Sequence, residues 1–288
     1  MDLDQDGVND ILSGSYSRMQ QEMAGLFQVL KGKPDGTFAA ATTLLGIDGE
    51  PLIIPIASRD EMTKNICTRP TAVDWDGDGD LDLVVGNFAG SFYVFNGKGK
   101  GEFFPKPESI MVGDSPLQIT GAHSDPFVID WDGDGDLDIV SGSSNGGVQW
   151  SENQAGAGQP PALTSFKTLI NATTRTTTSK FLKESDLTGP MQSTRVWIDD
   201  VNSDGKLDVL VGDNVALASR AAGINEQEFA AKYAEWEKEF NTVMKAYSAA
   251  KEPEEQRKAS QRYQEVYQQR SKLMTEERTG FVWLYVQK

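Results

Sequence analysis

The sequence predicts an all-β fold of repeated sheets, interrupted by one helical insertion. Three observations carry that prediction. An acidic, glycine-centred segment recurs four times. Each copy runs into a short β-branched stretch closed by glycine. A long window near the C-terminal end places apolar residues at helical spacing.

The four segments align without gaps: DLDQDGVNDILSG from Asp2, DWDGDGDLDLVVG from Asp74, DWDGDGDLDIVSG from Asp130 and DVNSDGKLDVLVG from Asp200. Their starts lie 72, 56 and 70 residues apart. Such a period suits one four-stranded propeller blade with connecting loops of varying length. Position 1 is always aspartate (Asp2, Asp74, Asp130, Asp200), and position 3 always has a side-chain oxygen (Asp4, Asp76, Asp132, Asn202). Position 5 is Asp6, Asp78, Asp134 and Asp204, and position 9 is Asp10, Asp82, Asp138 and Asp208. Position 6 is invariably glycine (Gly7, Gly79, Gly135, Gly205), whereas position 7 varies freely (Val8, Asp80, Asp136, Lys206). Lysine offers a cation no side-chain ligand, but every residue offers a backbone carbonyl.

Carboxylates packed this densely repel one another unless a cation sits among them. The loops gather seventeen of the chain's 43 acidic residues, so the acidity is bunched rather than spread. Calcium takes 6–8 oxygens, and alternate residues 1, 3 and 5 can converge on it while the glycine turns the chain. With no His or Cys in the loops, zinc and copper are poor candidates, and magnesium prefers fewer protein ligands. The predicted cofactor is therefore Ca2+. Its predicted ligands are positions 1, 3, 5 and 9 through side chains and position 7 through its carbonyl. An EF-hand needs a bidentate Glu at position 12, where this chain has Ser13, Val85, Ser141 and Val211. The same absence argues against dockerin modules.

This pattern, Asp-x-Asp/Asn-x-Asp-Gly-x-x-Asp followed by an apolar strand and glycine, resembles the FG-GAP (VCBS-type) repeat. That repeat is known from integrin α-subunit propellers and from many secreted bacterial proteins. The resemblance covers most of residues 1–222 and the tail 280–288. It implies a calcium ion in the loop between the first two strands of each blade. It is unspecific for function, because the family includes adhesins and lyases.

The second copy displays a whole blade. TAVDW (71–75) enters the loop, LDLVVG (81–86) leaves it, SFYVFNG (91–97) follows, and GEFFPKPESI (101–110) gives an outer strand whose prolines suit an edge. The third copy repeats this with PFVID, LDIVSG, GGVQWSEN and SFKTLI. Trp75 and Trp131, at position 2 of their loops, are expected to pack between blades. The first copy lacks an entering strand, and the last stops after TGFVWLYVQK, a third strand with no fourth. The chain thus reads as an incomplete propeller, cut at both ends.

Residues 223–279 do not belong to a blade. Asn225 and Glu228 form a capping box, and Phe229, Tyr233, Trp236, Phe240, Val243 and Tyr247 trace one apolar stripe. Pro253 suits the first turn of a second helix, with Tyr263, Val266, Tyr267, Leu273 and Met274 on its stripe. The window reads as an antiparallel helical hairpin, or short coiled coil, with arms of about 35–40 Å at 1.5 Å per residue. Two readings of the first stripe compete: cover by the second helix, or partial exposure for a docking partner.

A formal charge of −16 argues against nucleic acid and against anionic membrane surfaces. No apolar run reaches the length of a membrane span. The start MDLDQDGVND has neither the basic end nor the apolar centre of a signal peptide. Calcium-filled oxygen cages nevertheless suit the extracellular space, the periplasm or the cell surface, so the N-terminus reads as truncated. One cysteine, Cys67, allows no internal disulfide.

The function expected is a calcium-binding scaffold that recognises a protein or carbohydrate ligand. The alternative is a calcium-dependent polysaccharide-lyase-like enzyme on the same fold. For that, the sequence offers only one histidine, His123, and Arg69, Lys180 or a tyrosine as base, with nothing to single one out.

Overall fold

The computed structural model describes residues 1–16, 25–173 and 181–288. Lys180, one of the bases considered above, lies outside them. The chain divides into two compact units: Met1–Thr174, Gly189–Asn214 and Phe281–Lys288 form the first, Arg175–Thr188 and Val215–Gly280 the second.

The first unit is a series of antiparallel sheets, none closed on itself. Sheet one orders β1 (Ile11–Ser13), β2 (Gln28–Leu30) and β3 (Thr42–Thr43). Sheet two orders β4 (Arg69–Val73), β5 (Asp82–Gly86), β6 (Phe92–Phe95) and β7 (Glu108–Ser109). A small hairpin of β8 (Met111–Val112) and β9 (Ser115–Pro116) leads on. Sheet three orders β10 (Asp125–Ile129), β11 (Asp138–Gly142), β12 (Val148–Ser151) and β13 (Lys167–Ile170). Sheet four pairs β14 (Gln192–Asp199) with the first half of β15 (Asp208–Arg220), which pairs in turn with β17 (Val282–Tyr285). As expected from the sequence, no strand of sheet one precedes β1, and sheet four has no strand beyond β17 among the described residues.

The strands that leave the second and third loops, β5 and β11, are apolar without alternation because both of their faces are covered. All five residues of β5 and of β11 are buried. Leu83 and Val85 pack on Phe27, Val29 and Leu52 of the preceding sheet, while Val84 packs with Ile139 of the next. Val140 continues the pattern against Ile198, Val209 and Val211 of sheet four. Trp75 lies in the core between sheets two and three, and Trp131 borders the next core, so both pack between sheets. Leu210 occupies the place of Val84 and Val140, but among the described residues no further sheet covers it. It stands in one cross-strand row with Trp197 (59% exposed) and Leu284 (51% exposed).

A repeated latch fastens each sheet to the next. The residue after each strand-closing glycine donates its N–H to a hydroxyl at the entry of the following sheet: Ser15 to Thr68 Oγ1 (3.1 Å), Asn87 to Ser124 Oγ (2.8 Å), Ser143 to Thr194 Oγ1 (2.9 Å). The backbone N–H of Thr68, Ser124 and Thr194 returns the bond to the carbonyls of Ser15, Asn87 and Ser143. So close an approach leaves no room for a side chain. A Cβ built on Gly14, Gly86 or Gly142 overlaps the carbonyl of Thr68, Ser124 or Thr194. The preceding residues Cys67, His123 and Ser193 take left-handed φ of 56°, 62° and 50° to present these hydroxyls.

In the second unit, α1 (Glu226–Ala249) and α2 (Pro253–Gln269) form the predicted helical hairpin. Asn225 caps α1 by accepting from the Glu228 N–H at 2.9 Å, and Pro253 opens α2. Phe229, Trp236 and Val243 are buried against Val266, and Trp236 Nε1 donates to the Val266 carbonyl at 2.8 Å. The second helix thus covers most of the aromatic stripe, and only Tyr247, 45% exposed, stands largely clear. The arms are unequal: α1 has 24 residues and α2 only 17, about 26 Å at 1.5 Å per residue. Leu273 and Met274 fall outside α2, because β16 (Met274–Thr279) pairs with Val215–Arg220 of β15 and claims the chain there.

Candidate metal centre

The four acidic loops share one backbone conformation, built from their own aspartates. The glycine at position 6 has φ of 89°, 95°, 93° and 84° (Gly7, Gly79, Gly135, Gly205), a region that side chains other than glycine's rarely tolerate. Position 4 is left-handed as well, in Gln5, Gly77, Gly133 and Ser203. The position 1 carboxylate turns back over the loop and accepts the glycine N–H: Gly7 to Asp2 (2.8 Å), Gly79 to Asp74 (3.1 Å), Gly135 to Asp130 (3.0 Å), Gly205 to Asp200 (2.8 Å). The position 5 carboxylate accepts the position 7 N–H at 2.8–3.1 Å from Val8, Asp80, Asp136 and Lys206. Position 7 therefore acts in the turn through its backbone, which explains why valine, aspartate and lysine interchange there. Its side chains turn elsewhere: Asp136 Oδ2 accepts from Gly156 at 2.7 Å.

The structure brings ligand-type oxygens within 4.8 Å of one another in three loops: Asp2, Asp4 and Asp6; Asp74, Asp76 and Asp78; Asp130, Asp132 and Asp138. In the fourth, Asn202 Oδ1 and Asp200 Oδ1 both accept the Asp204 N–H, at 2.8 and 2.9 Å.

Position 9 does more than the sequence suggested. Asp82 accepts the Trp75 N–H on one oxygen (2.9 Å) and the Gly97 N–H on the other (2.6 Å). Asp138 does the same with Trp131 (2.9 Å) and Asn153 (2.7 Å), and Asp10 with Leu3 (3.1 Å) and Gly32 (2.8 Å). Asp208 accepts from Gln287 at 3.1 Å. In the first three copies this carboxylate clamps the loop entry to Gly32, Gly97 and Asn153, just past β2, β6 and β12. It is buried in all four copies, and each oxygen keeps a lone pair for a second partner.

A cation fits these loops on two counts. Asp4 Oδ1, Asp74 Oδ1 and Asp208 Oδ2 are buried with no hydrogen-bond partner, a costly state for a carboxylate oxygen without a charge to face. Burial pushes the carboxyls of Asp82 and Asp138 above the usual carboxylate range, and burial aided by Asp134 does the same at Asp132 and Asp136. A hard divalent ion relieves both, and an all-oxygen donor set suits calcium. The first loop differs, since the Lys31 ammonium already pairs with Asp4. That hydrogen bond, reinforced by Asp4, Asp10 and Asp6, raises the lysine's pKa against the cost of its burial.

These features define a class: a β-sheet protein with a repeated acidic, glycine-centred loop of fixed conformation. The family model described as FG-GAP-like repeat matches residues 74–141, which run from the second loop into β11. The chain thus carries an FG-GAP-type repeat, as the loop pattern indicated. No curated protein matches the chain.

Proposed function

We propose that this chain is a calcium-binding sector of a β-propeller, acting outside the cytosol as a scaffold that recognises a protein or carbohydrate ligand. The carrying observation is the four-fold identity of loop conformation combined with unpartnered buried carboxylate oxygens. The order of the sheets supports the blade reading: β4 packs against β10, and β10 against β14, as inner strands of neighbouring blades do. Side chains at positions 1, 3, 5 and 9 and the carbonyl at position 7 would hold the ion, which supplies charge neutralisation and rigidity. The lyase alternative has less support. Arg69 is tied to Asp125, Ser124 and Cys67, which leaves it poorly placed as a base.

Calorimetric titration with calcium, together with melting in calcium and in chelator, tests the proposal. At site affinities of roughly 10⁻⁴–10⁻³ M and about 1–2 mM calcium, each site adds about 0.5–2 kcal/mol by mass action. Asp78→Ala should empty the second loop, and Lys206→Ala should leave the fourth filled. Protons compete at the third loop, where Asp132, Asp136 and Asp138 hold them above the ordinary aspartate value of about 3.9, so acidification weakens calcium there before it reaches that pH. Equal melting temperatures with and without calcium would sink the reading.

A further inference from the structure

Five residues ahead of three loops, in the entering strands, stand Arg69, Asp125 and Arg195, opposite Gly86, Gly142 and Gly212. Neighbouring sheets bring them together. Asp125 Oδ1 lies 3.2 Å from Arg69 Nε and 3.7 Å from Arg195 Nε. Arg69 spends its other nitrogens on the Ser124 carbonyl (3.4 Å) and Cys67 Sγ (3.2 Å). Arg195 Nη1 donates to the carbonyls of Thr194 (2.7 Å) and Ser193 (3.4 Å). Among the described residues Arg195 Nη2 has no hydrogen-bond partner, and this side chain is 38% exposed while Arg69 and Asp125 are 19% and 17% exposed.

Two guanidiniums therefore share one carboxylate in a partly desolvated place. Burial, followed by Arg69 and Arg195, lowers the pKa of His123 and keeps it neutral. The cluster holds one uncompensated positive charge within a chain of formal charge −16. Burial also lowers the Arg195 pKa, a sign that its charge lacks solvation. A planar guanidinium with a free Nη2 suits a planar two-oxygen anion. One net charge suits a monoanion, because Asp125 would repel the second charge of a sulfate.

We propose that Arg195, held with Arg69 by Asp125, binds the carboxylate of an anionic ligand. Asp125 positions both guanidiniums, and Arg195 Nη2 is the principal donor. The cluster lies one strand length from the acidic loops, about 16 Å at 3.3 Å per residue, so it does not depend on the calcium reading.

The test follows the arginine Nε–H resonances by NMR at constant ionic strength, in calcium and again in chelator. The probes are acetate, chloride and sulfate, with the methylamide of N-acetylaspartate and methyl galacturonoside as two carboxylate sources. Acetate should give a saturable shift at Arg195, with chloride and sulfate at least about tenfold weaker. The source that saturates at lower concentration than acetate identifies the ligand class. Read at the Arg69 Nε–H, which the variants keep and which shares Asp125 with Arg195, Arg195→Gln should abolish the response, and Arg195→Lys should weaken it about tenfold by removing the fork at unchanged charge. Arg220→Gln, at an exposed arginine elsewhere, should leave it intact. Melting temperatures of the variants report any loss of folding. An equal response to chloride, or a shift that survives Arg195→Gln, overturns the proposal.

Discussion

Gly142→Ala is expected to cost about 3–5 kcal/mol, whereas Gly212→Ala costs nothing measurable. The two glycines hold equivalent places in successive repeats, so propensity alone predicts equal effects. Their surroundings differ. A methyl group on Gly142 overlaps the Thr194 carbonyl, whose residue exchanges two hydrogen bonds with Ser143. Overpacking alone costs about 1–3 kcal/mol, and each lost bond adds about 0.5–1.5. The same methyl on Gly212 meets only Arg195 Cβ, 4.0 Å away. There the next residue, Asp213, bonds to Phe281 and Met191 instead of to a following sheet. Gly86→Ala should behave like Gly142→Ala. Denaturant unfolding in calcium measures all three, and matching losses at Gly142 and Gly212 would refute the latch.

Asp138→Ala is expected to cost about 2–4 kcal/mol even in chelator, because two buried N–H groups, of Trp131 and Asn153, lose their acceptor. Asp134→Ala, whose carboxylate accepts one local turn bond from the Asp136 N–H, should be nearly silent in chelator and evident only in calcium. The sign for Asp138→Asn follows from the raised pKa. Without metal the folded protein disfavours the charge, so a neutral isostere that keeps one acceptor loses far less than alanine does. In calcium both variants should lose more than in chelator, since the ion favours the charged form. Melting each variant in both conditions separates the clamp from the cage. A silent Asp138→Ala in chelator would reduce position 9 to a ligand alone.

The acidic loops and α1 were legible because their chemistry is local. The Asp2, Asp74, Asp130 and Asp200 turns close within five residues, and the Asn225 cap reaches only to Glu228. What the sequence concealed spans longer separations. Asp138 reaches Asn153, Ser143 reaches Thr194 fifty-one residues on, and Arg69 meets Asp125 from another sheet. Tertiary pairing also decided where α2 ends, since Val215–Arg220 recruits Met274–Thr279 into a strand pair. One signal was available and unused. Aligning the entering strands on their loops stacks Thr68, Ser124 and Thr194 in one column, the mark of a shared hydroxyl task.

The hydroxyl latches give the first unit the energetics of a linear array. Each sheet is tied to its neighbours alone, so its stability is a local term plus the couplings on either side. Among the described residues, sheets two and three have two couplings each, and sheets one and four have one. Opening should therefore begin at the ends and move inward. The amides of β1 and β17 should exchange with solvent well before those of β5 and β11, whose residues are buried throughout. A covering placed over Leu210, Trp197 and Leu284 would turn that free end into an interior one and slow exchange across the fourth sheet.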